Sequence, residues 1–444
     1  MISMYKRVAL VLMSGGMAFG VAAGSASAQQ KPASSSPKVV VTLWSLSPVS
    51  STMANMVAAI EKRHPNITVD FTVEPHTAYF TSLKAAAASG SLPDLIGLSP
   101  GSVTQQYRPY LQSLNGIAQK LWGNQWKNNF APSLTYQARL GNPPKDWNFY
   151  MLPEESEVIN VWYNRTIFSK LHLTPPKNLD QMIADSHKIS AAGYIPFYQG
   201  ADTGLFDTWV FMQIAAQTDL GGLLQADVGR PTWTQPGMIK AAQVWKTLFT
   251  EQVFQPGALG ELQYPTGANL FAAGRVGMMS LGSWWMQETK LPGALPPGIA
   301  NMSGFGKFFF PAVIPGGHPT PPLGGIDIGW GITKTAAKSA AVERASEIVL
   351  KDLISGPGEQ VALNSFNDLP AFKGMHPTVA MTPHMATLFK TYLNELQSAK
   401  NHQIGNPVIA QALDSNLQAI GAGTETPGKA MASVQKVAIA QLKK

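Results

Sequence analysis

The chain has 444 residues, of which 45% are hydrophobic and only 13% are charged, a composition that supports a large buried core and excludes an intrinsically disordered protein. The formal net charge is +7, but the basic residues are scattered singly, so no nucleic-acid-binding patch is predicted. Because the chain contains no cysteine, disulfides, thiolate metal sites and cysteine nucleophiles are excluded.

The N-terminus has the pattern of a secretory signal peptide. Lys6 and Arg7 precede an apolar run over residues 8–21, and Ala26-Ser27-Ala28 supplies the small residues of a cleavage site. A membrane anchor is the alternative, but the run is interrupted by serine and glycine and is shorter than the roughly 20 residues of a spanning helix. We predict cleavage near Ala28, a periplasmic location, and a disordered polar leader over residues 29–37.

The first part of the mature chain alternates strand and helix patterns. In chain order these predict a strand at 39–44, a helix at 52–64 capped by Thr52, a strand at 67–73, a helix at 79–89 ended by Gly90 and a strand at 93–98. This order indicates a parallel, doubly wound sheet, whose ligands lie at the carboxyl ends of the strands. The loops after Trp44, Val73 and Leu98 should therefore face any site.

A second α/β unit is predicted after Val161. The patterns predict helices at 178–191, 208–218, 236–250, 336–354 and 385–398, a strand at 194–198, and irregular stretches at 293–306 and 311–325. Two α/β lobes result. None of the eight histidines has the spacing of a metal-binding helix motif, so no metal or other cofactor is expected.

Local motifs, in their order, resemble the extracellular solute-binding proteins of ATP-driven importers, in the carbohydrate-binding branch that includes the maltose-binding protein. The motifs are His64–Val69, Ala88–Ile96, Tyr150–Arg165, Asn269–Trp285 and Leu323–Ile332. The resemblance implies a two-lobe periplasmic-binding-protein fold, each lobe a mostly parallel sheet flanked by helices, with the ligand cleft between the lobes. It further implies a monomer that catalyses no reaction, binds a small carbohydrate and reaches the membrane only through the transmembrane subunits of an ABC permease.

The resemblance also implies lobe boundaries. The N-lobe is expected to comprise residues 38–155 and 309–356, and the C-lobe residues 156–308 and 357–444. The chain would then cross between the lobes near Glu155, Phe308 and Gly356.

Two residues carry the strongest resemblance at the site. Glu157 lies six positions before Tyr163, where the family has an acidic residue that binds a sugar hydroxyl; the alternative is that Glu154, Glu155 and Glu157 form a solvated hinge. Trp284 matches a family tryptophan that stacks on a pyranose ring, and an indole face suits that task because it shields the C–H face of a sugar from water.

Other candidate ligand-binding residues follow from the same motifs and from the strand ends. They are Phe206 and Trp209 for stacking, Asp327 for hydroxyl recognition, Trp330 beside it, Asn367 and Asp368 in a late turn, and Trp44, Ser45 and Ser99 at the ends of the first and third strands.

Departures from the family leave the ligand open. Leu98 stands where the maltose-binding protein has a tryptophan, and the loop after Trp44 lacks a charged pair, so maltodextrin specificity is not expected. Glycerol 3-phosphate, or another polyol or phosphodiester, is an alternative ligand. A secreted carbohydrate-active enzyme that uses Glu157 and Asp327 is the alternative from another class.

Overall fold

The computed structural model describes residues 38–202, 205–288, 304–366 and 368–443. The predicted signal peptide, the leader and Asn367 lie outside these residues. Among the helices that the structure describes, none combines the length and the apolar character needed to cross a membrane.

Eleven strands are described. They are β1 (Val39–Ser45), β2 (Ile67–Val73), β3 (Leu95–Leu98), β4 (Leu152–Pro153), β5 (Glu155–Asn164), β6 (Ile195–Tyr198), β7 (Val276–Leu281), β8 (Phe305–Phe308), β9 (Leu323–Ile326), β10 (Gly329–Ile332) and β11 (Leu369–Pro370).

Seventeen α-helices are described. They are α1 (Ser50–Arg63), α2 (His76–Ser89), α3 (Ser102–Tyr107), α4 (Asn115–Trp122), α5 (Pro132–Gln137), α6 (Arg165–Lys170), α7 (Leu179–Ala191), α8 (Phe206–Thr218), α9 (Leu220–Asp227), α10 (Pro236–Thr250), α11 (Ala268–Ala272), α12 (Trp285–Glu288), α13 (Ala340–Ser355), α14 (Pro357–Asn364), α15 (Pro383–Ser398), α16 (Pro407–Gly421) and α17 (Pro427–Gln441). Short 3₁₀ turns lie at Arg108–Tyr110, Trp126–Asn129, Ala258–Gly260 and Ala336–Lys338.

The strands form two sheets. The first has the order β2-β1-β3-β10-β4, and the second has the order β11-β5-β7-β6, with β8 and β9 also paired to β5. The pairs β1–β2, β1–β3 and β6–β7 are parallel, whereas β10 and the long strand β5 pair with their neighbours in antiparallel fashion. The two-sheet α/β fold is confirmed, and the sheets are mixed, because returning segments of the chain pair against β3 and β5.

In the described residues, the chain passes between the two sheets at three points. The first passage lies at Glu154, between β4 and β5, close to the expected crossing near Glu155. The second lies at Asp327 and Ile328, because β9 still pairs with β5. Ala362 of α14 packs in the core of the first sheet, and β11 pairs with β5, so the third passage follows α14 instead of preceding it.

Local signals explain where several elements begin and end. Asn178 caps α7, since its side chain accepts a hydrogen bond from the Gln181 amide. Gly90, at φ 70°, ends α2 as predicted. Helix α1 begins at Ser50 with Val49 at the cap position, so Thr52 is a buried residue of the first turn and not the predicted cap.

Both sheets are covered by apolar side chains. The first core is built from residues of segments 41–152 and 326–371, with Trp330 among them, and two further clusters cover the faces of the second sheet. Strand β5 lies between neighbours along its length, and every residue in it except Tyr163 is buried. This central position carries Glu155 and Glu157 into the interior.

Candidate functional site

A cavity of about 370 Å³ lies between segments that follow strands of the two sheets. From the first sheet, Leu46, Glu74 and Ser99 line it, each immediately after the end of β1, β2 or β3. The three loops therefore meet at one cavity, as the strand order predicts. From the second sheet the lining residues come from α8 and from the segments before α11 and α12.

One wall of the cavity is built from four aromatic side chains. Phe206 and Trp209 lie one turn apart on α8, which puts both on one face of the helix. The ring centroids of Trp209 and Trp284 are 5.7 Å apart, as are those of Phe206 and Tyr264. The Trp284 indole N–H donates a 2.8 Å hydrogen bond to the Tyr264 hydroxyl, so the rings hold one another in place.

The adjacent tryptophans have different environments. Trp285 is fully buried and stacks on Phe271 with centroids 5.2 Å apart, whereas Trp284 is half-buried and lines the cavity. The chain separates them by a turn after β7 and the start of α12, not by strand alternation. Only one of the adjacent pair is therefore a core residue.

The Trp284 ring packs directly against the Cα atom of Gly282, where no side chain intervenes. A Cβ atom at residue 282 would overlap the six-membered ring of Trp284, a side chain that can rotate away. We expect Gly282→Ala to lower ligand affinity by about tenfold while shifting the melting temperature by less than about 2 °C, because the clash is relieved by moving Trp284. Calorimetric titration with a bound sugar, beside a thermal melt, measures both. Unchanged affinity would show that the position of the ring is irrelevant to binding.

His76 belongs to the opposite wall. Its ring lies 5.4 Å from the Phe206 ring and 4.9 Å from that of Phe80, so it spans from the first sheet's segments to the aromatic wall. Burial lowers the pKa of His76 to about 4, which keeps the imidazole neutral at neutral pH. Both ring nitrogens are buried, and neither has a hydrogen-bond partner among the described residues.

Three carboxyl groups meet beside the aromatic wall. Asp327 lines the cavity, and Glu157 and Asp368 lie behind it, both fully buried; oxygens of the three lie within 4.8 Å of one another. Asp368 accepts hydrogen bonds from the Ser283 hydroxyl and, at 2.9 Å, from the Leu369 amide. Asp368 is thus tied to the turn that carries Trp284, which couples the acidic group to the aromatic wall.

Burial favours the neutral forms of these groups. It raises the pKa of Glu157, and burial together with neighbouring carboxylates raises the pKa of Asp327 and of Asp368 well above the ordinary range. Glu157 Oε1 lies 2.7 Å from His402 Nε2, and burial lowers the pKa of His402 to about 4. The contact therefore joins a protonated carboxyl to a neutral imidazole, because neither charged form is favoured there.

The acidic group extends toward the passage between the sheets. Glu154, Glu155 and Glu157 are all fully buried, so they do not form a solvated hinge. Glu359 of α14 is also buried, and the nearby Glu155 and Glu154 charges add to the burial that raises its pKa.

Of the candidate residues, Phe206, Trp209, Trp284, Asp327 and Ser99 line the cavity. Glu157 and Asp368 lie behind Asp327 and do not line it.

Three other candidates lie away from the cavity. Trp330 is fully buried in the first core, because β10 is an inner strand between β3 and β4. Trp44 packs against the same core, and Ser45 is fully buried with its hydroxyl donating to the Ser47 carbonyl at 2.6 Å. Their neighbours Leu46 and Ser47 face the cavity instead.

Sequence reasoning missed His76 and Tyr264 as lining residues. His76 begins α2 directly after the loop that the strand order already placed at the site. Tyr264 lies in an irregular turn before α11 and no periodic pattern marks it. Its hydroxyl accepts a hydrogen bond from Trp284 and its ring contacts Phe206, and both are tertiary contacts that the sequence does not mark.

Comparison with known proteins gives consistent results. Residues 44–349 match the family described as bacterial extracellular solute-binding protein. A binding protein of Brucella abortus strain 2308 is 28% identical over 225 residues, which is 50% of this chain and 52% of the relative. The chain thus spans about half the length of the Brucella relatives that it matches.

Two solved structures show the same fold. A chitin oligosaccharide binding protein superposes with a TM-score of 0.71 at 22% identity, over 90% of this chain and 98% of that protein. The maltose-bound MalE3 of T. maritima gives a TM-score of 0.70 at 15% identity, over 91% of this chain and all of that protein. These neighbours, like the family, are binding proteins, and the family name places its members outside the cytoplasm. The chain belongs to the bacterial extracellular solute-binding proteins, with a maltose-binding-protein-like fold.

Proposed function

We propose that the protein captures a mono- or oligosaccharide in the cavity between its two sheets and delivers it to the permease of an ABC transporter from the periplasm. The observation that carries this proposal is the wall formed by Phe206, Trp209, Tyr264 and Trp284, with Asp327 beside it. Aromatic faces cover the C–H surfaces of a sugar, and a carboxyl group can bind its hydroxyls.

The size and polarity of the cavity support the same ligand class. A volume of about 370 Å³ lies in the range of small-molecule sites and suits one or two sugar rings. The wall opposite the aromatic side chains offers Ser47, Ser50, Ser99 and His76, whose hydroxyl and imidazole groups can exchange hydrogen bonds with a polyhydroxylated ligand.

Residues of the first-sheet half and of the second-sheet half contact one another, which supports ligand binding by closure of the two halves around the ligand. The His76 ring packs on Phe206, the Ser102 amide donates to the Ile404 carbonyl at 2.7 Å, and Gln137 hydrogen-bonds with both Gly324 and Ile326. A ligand held by residues of both halves stabilises the closed arrangement over an open one. The sugar-binding neighbours of this fold are named for such ligands and favour the same assignment.

The anionic alternative has less support. Among the described residues that line the cavity there is no lysine or arginine, while Glu74 and Asp327 are both present. Arg108 pairs with Asp146, and Arg139 stacks on Trp147, so neither faces the cavity. A glycerol phosphate would meet carboxyl groups without a compensating cation.

The enzymatic alternative requires Glu157 and Asp327 on either side of a bond. Glu157 is fully buried behind Asp327 and contacts His402, so a ligand in the cavity reaches only one of the two carboxyl groups. This geometry favours binding over glycoside hydrolysis.

Thermal unfolding of the mature protein from Gln29 tests the proposal, with a panel of mono- and oligosaccharides, polyols, glycerol 3-phosphate and amino acids. A ligand at 100 times its dissociation constant adds about 2.7 kcal/mol of stability, which shifts the melting midpoint measurably. We expect a shift confined to one class of saccharide. A shift only with glycerol phosphate, or release of hydrolysis products by catalytic amounts of protein, would overturn the proposal.

A further inference from the structure

We infer that the preferred ligand is an amino sugar, whose protonated amine lies between the aromatic wall and the carboxyl group of Asp327. This inference rests on the proposed carbohydrate-binding function and specifies its ligand class. It is carried by the combination of an aromatic enclosure with carboxyl groups that have no basic partner at the cavity.

The charge balance around the cavity is one-sided. Asp327 and Glu74 line it, Glu157 and Asp368 lie within reach of Asp327, and no lysine or arginine is among the described lining residues. The histidines that could supply positive charge, His76 and His402, are neutral at neutral pH because burial lowers the pKa of each to about 4. An ammonium group on the ligand would be the cation beside which the Asp327 carboxyl group can ionise.

Unsatisfied polar atoms point to the same place. One carboxyl oxygen of Glu74, which lines the cavity, is buried without a hydrogen-bond partner among the described residues. Trp209, only 5% exposed and lining the cavity, has an unpaired indole N–H among the described residues. Buried polar atoms without partners are rare in native structures, and a bound ligand that pairs with them accounts for their retention.

The aromatic wall distinguishes an organic ammonium from a metal ion. Phe206, Trp209, Tyr264 and Trp284 present ring faces and edges, which attract an ammonium group through the ring quadrupoles. A calcium or magnesium ion instead requires six or more oxygen ligands, several of them carboxylate or carbonyl groups. Only Asp327 of the three clustered carboxyl groups is open to the cavity, so the enclosure suits a cation carried on a sugar.

Binding of an amine should be accompanied by release of protons. The carboxyl groups are held neutral in the empty cavity, since burial and mutual repulsion raise their pKa values. An ammonium group placed beside them lowers those pKa values again, so protons leave to the solvent. A neutral sugar in the same position has no such effect.

Calorimetric titration with matched saccharides tests the inference. The probes differ only at one substituent: glucosamine, glucose and N-acetylglucosamine, and the β-1,4-linked disaccharides of the same three sugars. We expect the amine to bind at least about tenfold more tightly than its hydroxyl and acetamide analogues. Repeating the titration in buffers of different ionisation enthalpy should reveal proton release for the amine alone.

Two variants locate the effect. Asp327→Asn should abolish the preference for the amine over its hydroxyl analogue, because the amide keeps the size and hydrogen-bonding capacity of the side chain but cannot ionise. Glu74→Gln, at the other acidic residue that lines the cavity, should reduce the preference for the amine. This second variant keeps the inference testable if Asp327→Asn does not fold. Asp180→Asn replaces an exposed acid at the start of α7 and should change nothing.

The outcomes are distinct. Equal or tighter binding of the neutral sugars overturns the inference and leaves the proposed function standing. Failure of every saccharide, amine or neutral, to bind contradicts the proposed function itself. Stabilisation by calcium chloride that is lost in Asp327→Asn, without any preference for amines, would assign the carboxyl groups to a metal and overturn the inference.

Discussion

Replacement of Trp284 by alanine is expected to weaken binding of the best saccharide by about 30-fold or more, which corresponds to about 2 kcal/mol. The substitution removes an aromatic face from the cavity and the hydrogen bond to the Tyr264 hydroxyl, so Tyr264 loses its positioning contact as well. Because Trp284 is only half-buried, the melting temperature of the unliganded protein should change little. Titration calorimetry and a thermal melt measure the two effects separately.

Two matched variants make the result specific. Trp147→Ala removes a tryptophan that is 69% exposed and remote from the cavity, and it should leave affinity unchanged. Trp285→Ala removes the fully buried neighbour and should lower stability by about 3–5 kcal/mol. Wild-type affinity in Trp284→Ala would refute the assignment of the aromatic wall as the ligand site.

The stability of the protein is expected to fall as the pH rises from 6.5 to 8. Four fully buried acids have pKa values raised well above the ordinary range by burial: Glu154, Glu157, Glu359 and Asp368. In the unfolded chain these groups ionise near pH 4, whereas the folded protein retains their protons. Their stabilising contribution is therefore complete below about pH 4 and is lost as the pH rises toward the folded-state values.

The buried histidines have the opposite effect on the pH dependence of stability. The pKa values of His76 and His402 are lowered to about 4, so their contribution is present above about pH 6.5 and is lost as the pH falls toward 4. Above pH 6.5 the histidines no longer change the stability with pH, so the carboxyl groups alone determine how the free energy of unfolding depends on pH. Each can contribute at most about 1.4 kcal/mol per pH unit, which makes the combined effect large.

Thermal melts of the unliganded protein at pH 6.5, 7.25 and 8 measure this dependence. We expect the melting temperature to fall by about 5 °C or more across the series. The isosteric variants Glu359→Gln and Asp368→Asn should each flatten the slope, and Asp180→Asn, on an exposed helix start, should not. A melting temperature that stays level or rises over this interval would contradict the neutral, buried state of the acids.

Much of the fold can be predicted from local signals in the sequence. The β-branched run of β1, the alternating run of β2 and the glycine that ends α2 are local features, and the structure has them where the sequence predicts them. The partners of β9 and β10 are not local. Each of these strands has four residues and a similar glycine-rich sequence, yet β9 pairs with β5 and β10 pairs with β3. Only tertiary contacts determine which sheet each strand joins.

The features of the site likewise fall into those that the sequence predicts and those that depend on tertiary structure. The strand order predicted which loops meet, and the placement of Ser99, Phe206, Trp209, Trp284 and Asp327 at one cavity follows the expectation drawn from the family resemblance. The burial of Glu154, Glu155 and Glu157 was not predictable, because three acids within four residues are typical of an exposed turn. They are interior because β5 is covered on both faces and paired on both edges, which is a property of the assembled sheet.

A crystal structure of the protein with the saccharide that stabilises it most would test the central claim most directly. The account predicts a sugar ring against the face of Trp284, in contact with Phe206 or Tyr264, with a hydroxyl or amino group hydrogen-bonded to Asp327. A saccharide bound elsewhere, with this cavity empty, would contradict the assignment of the site and the function proposed from it.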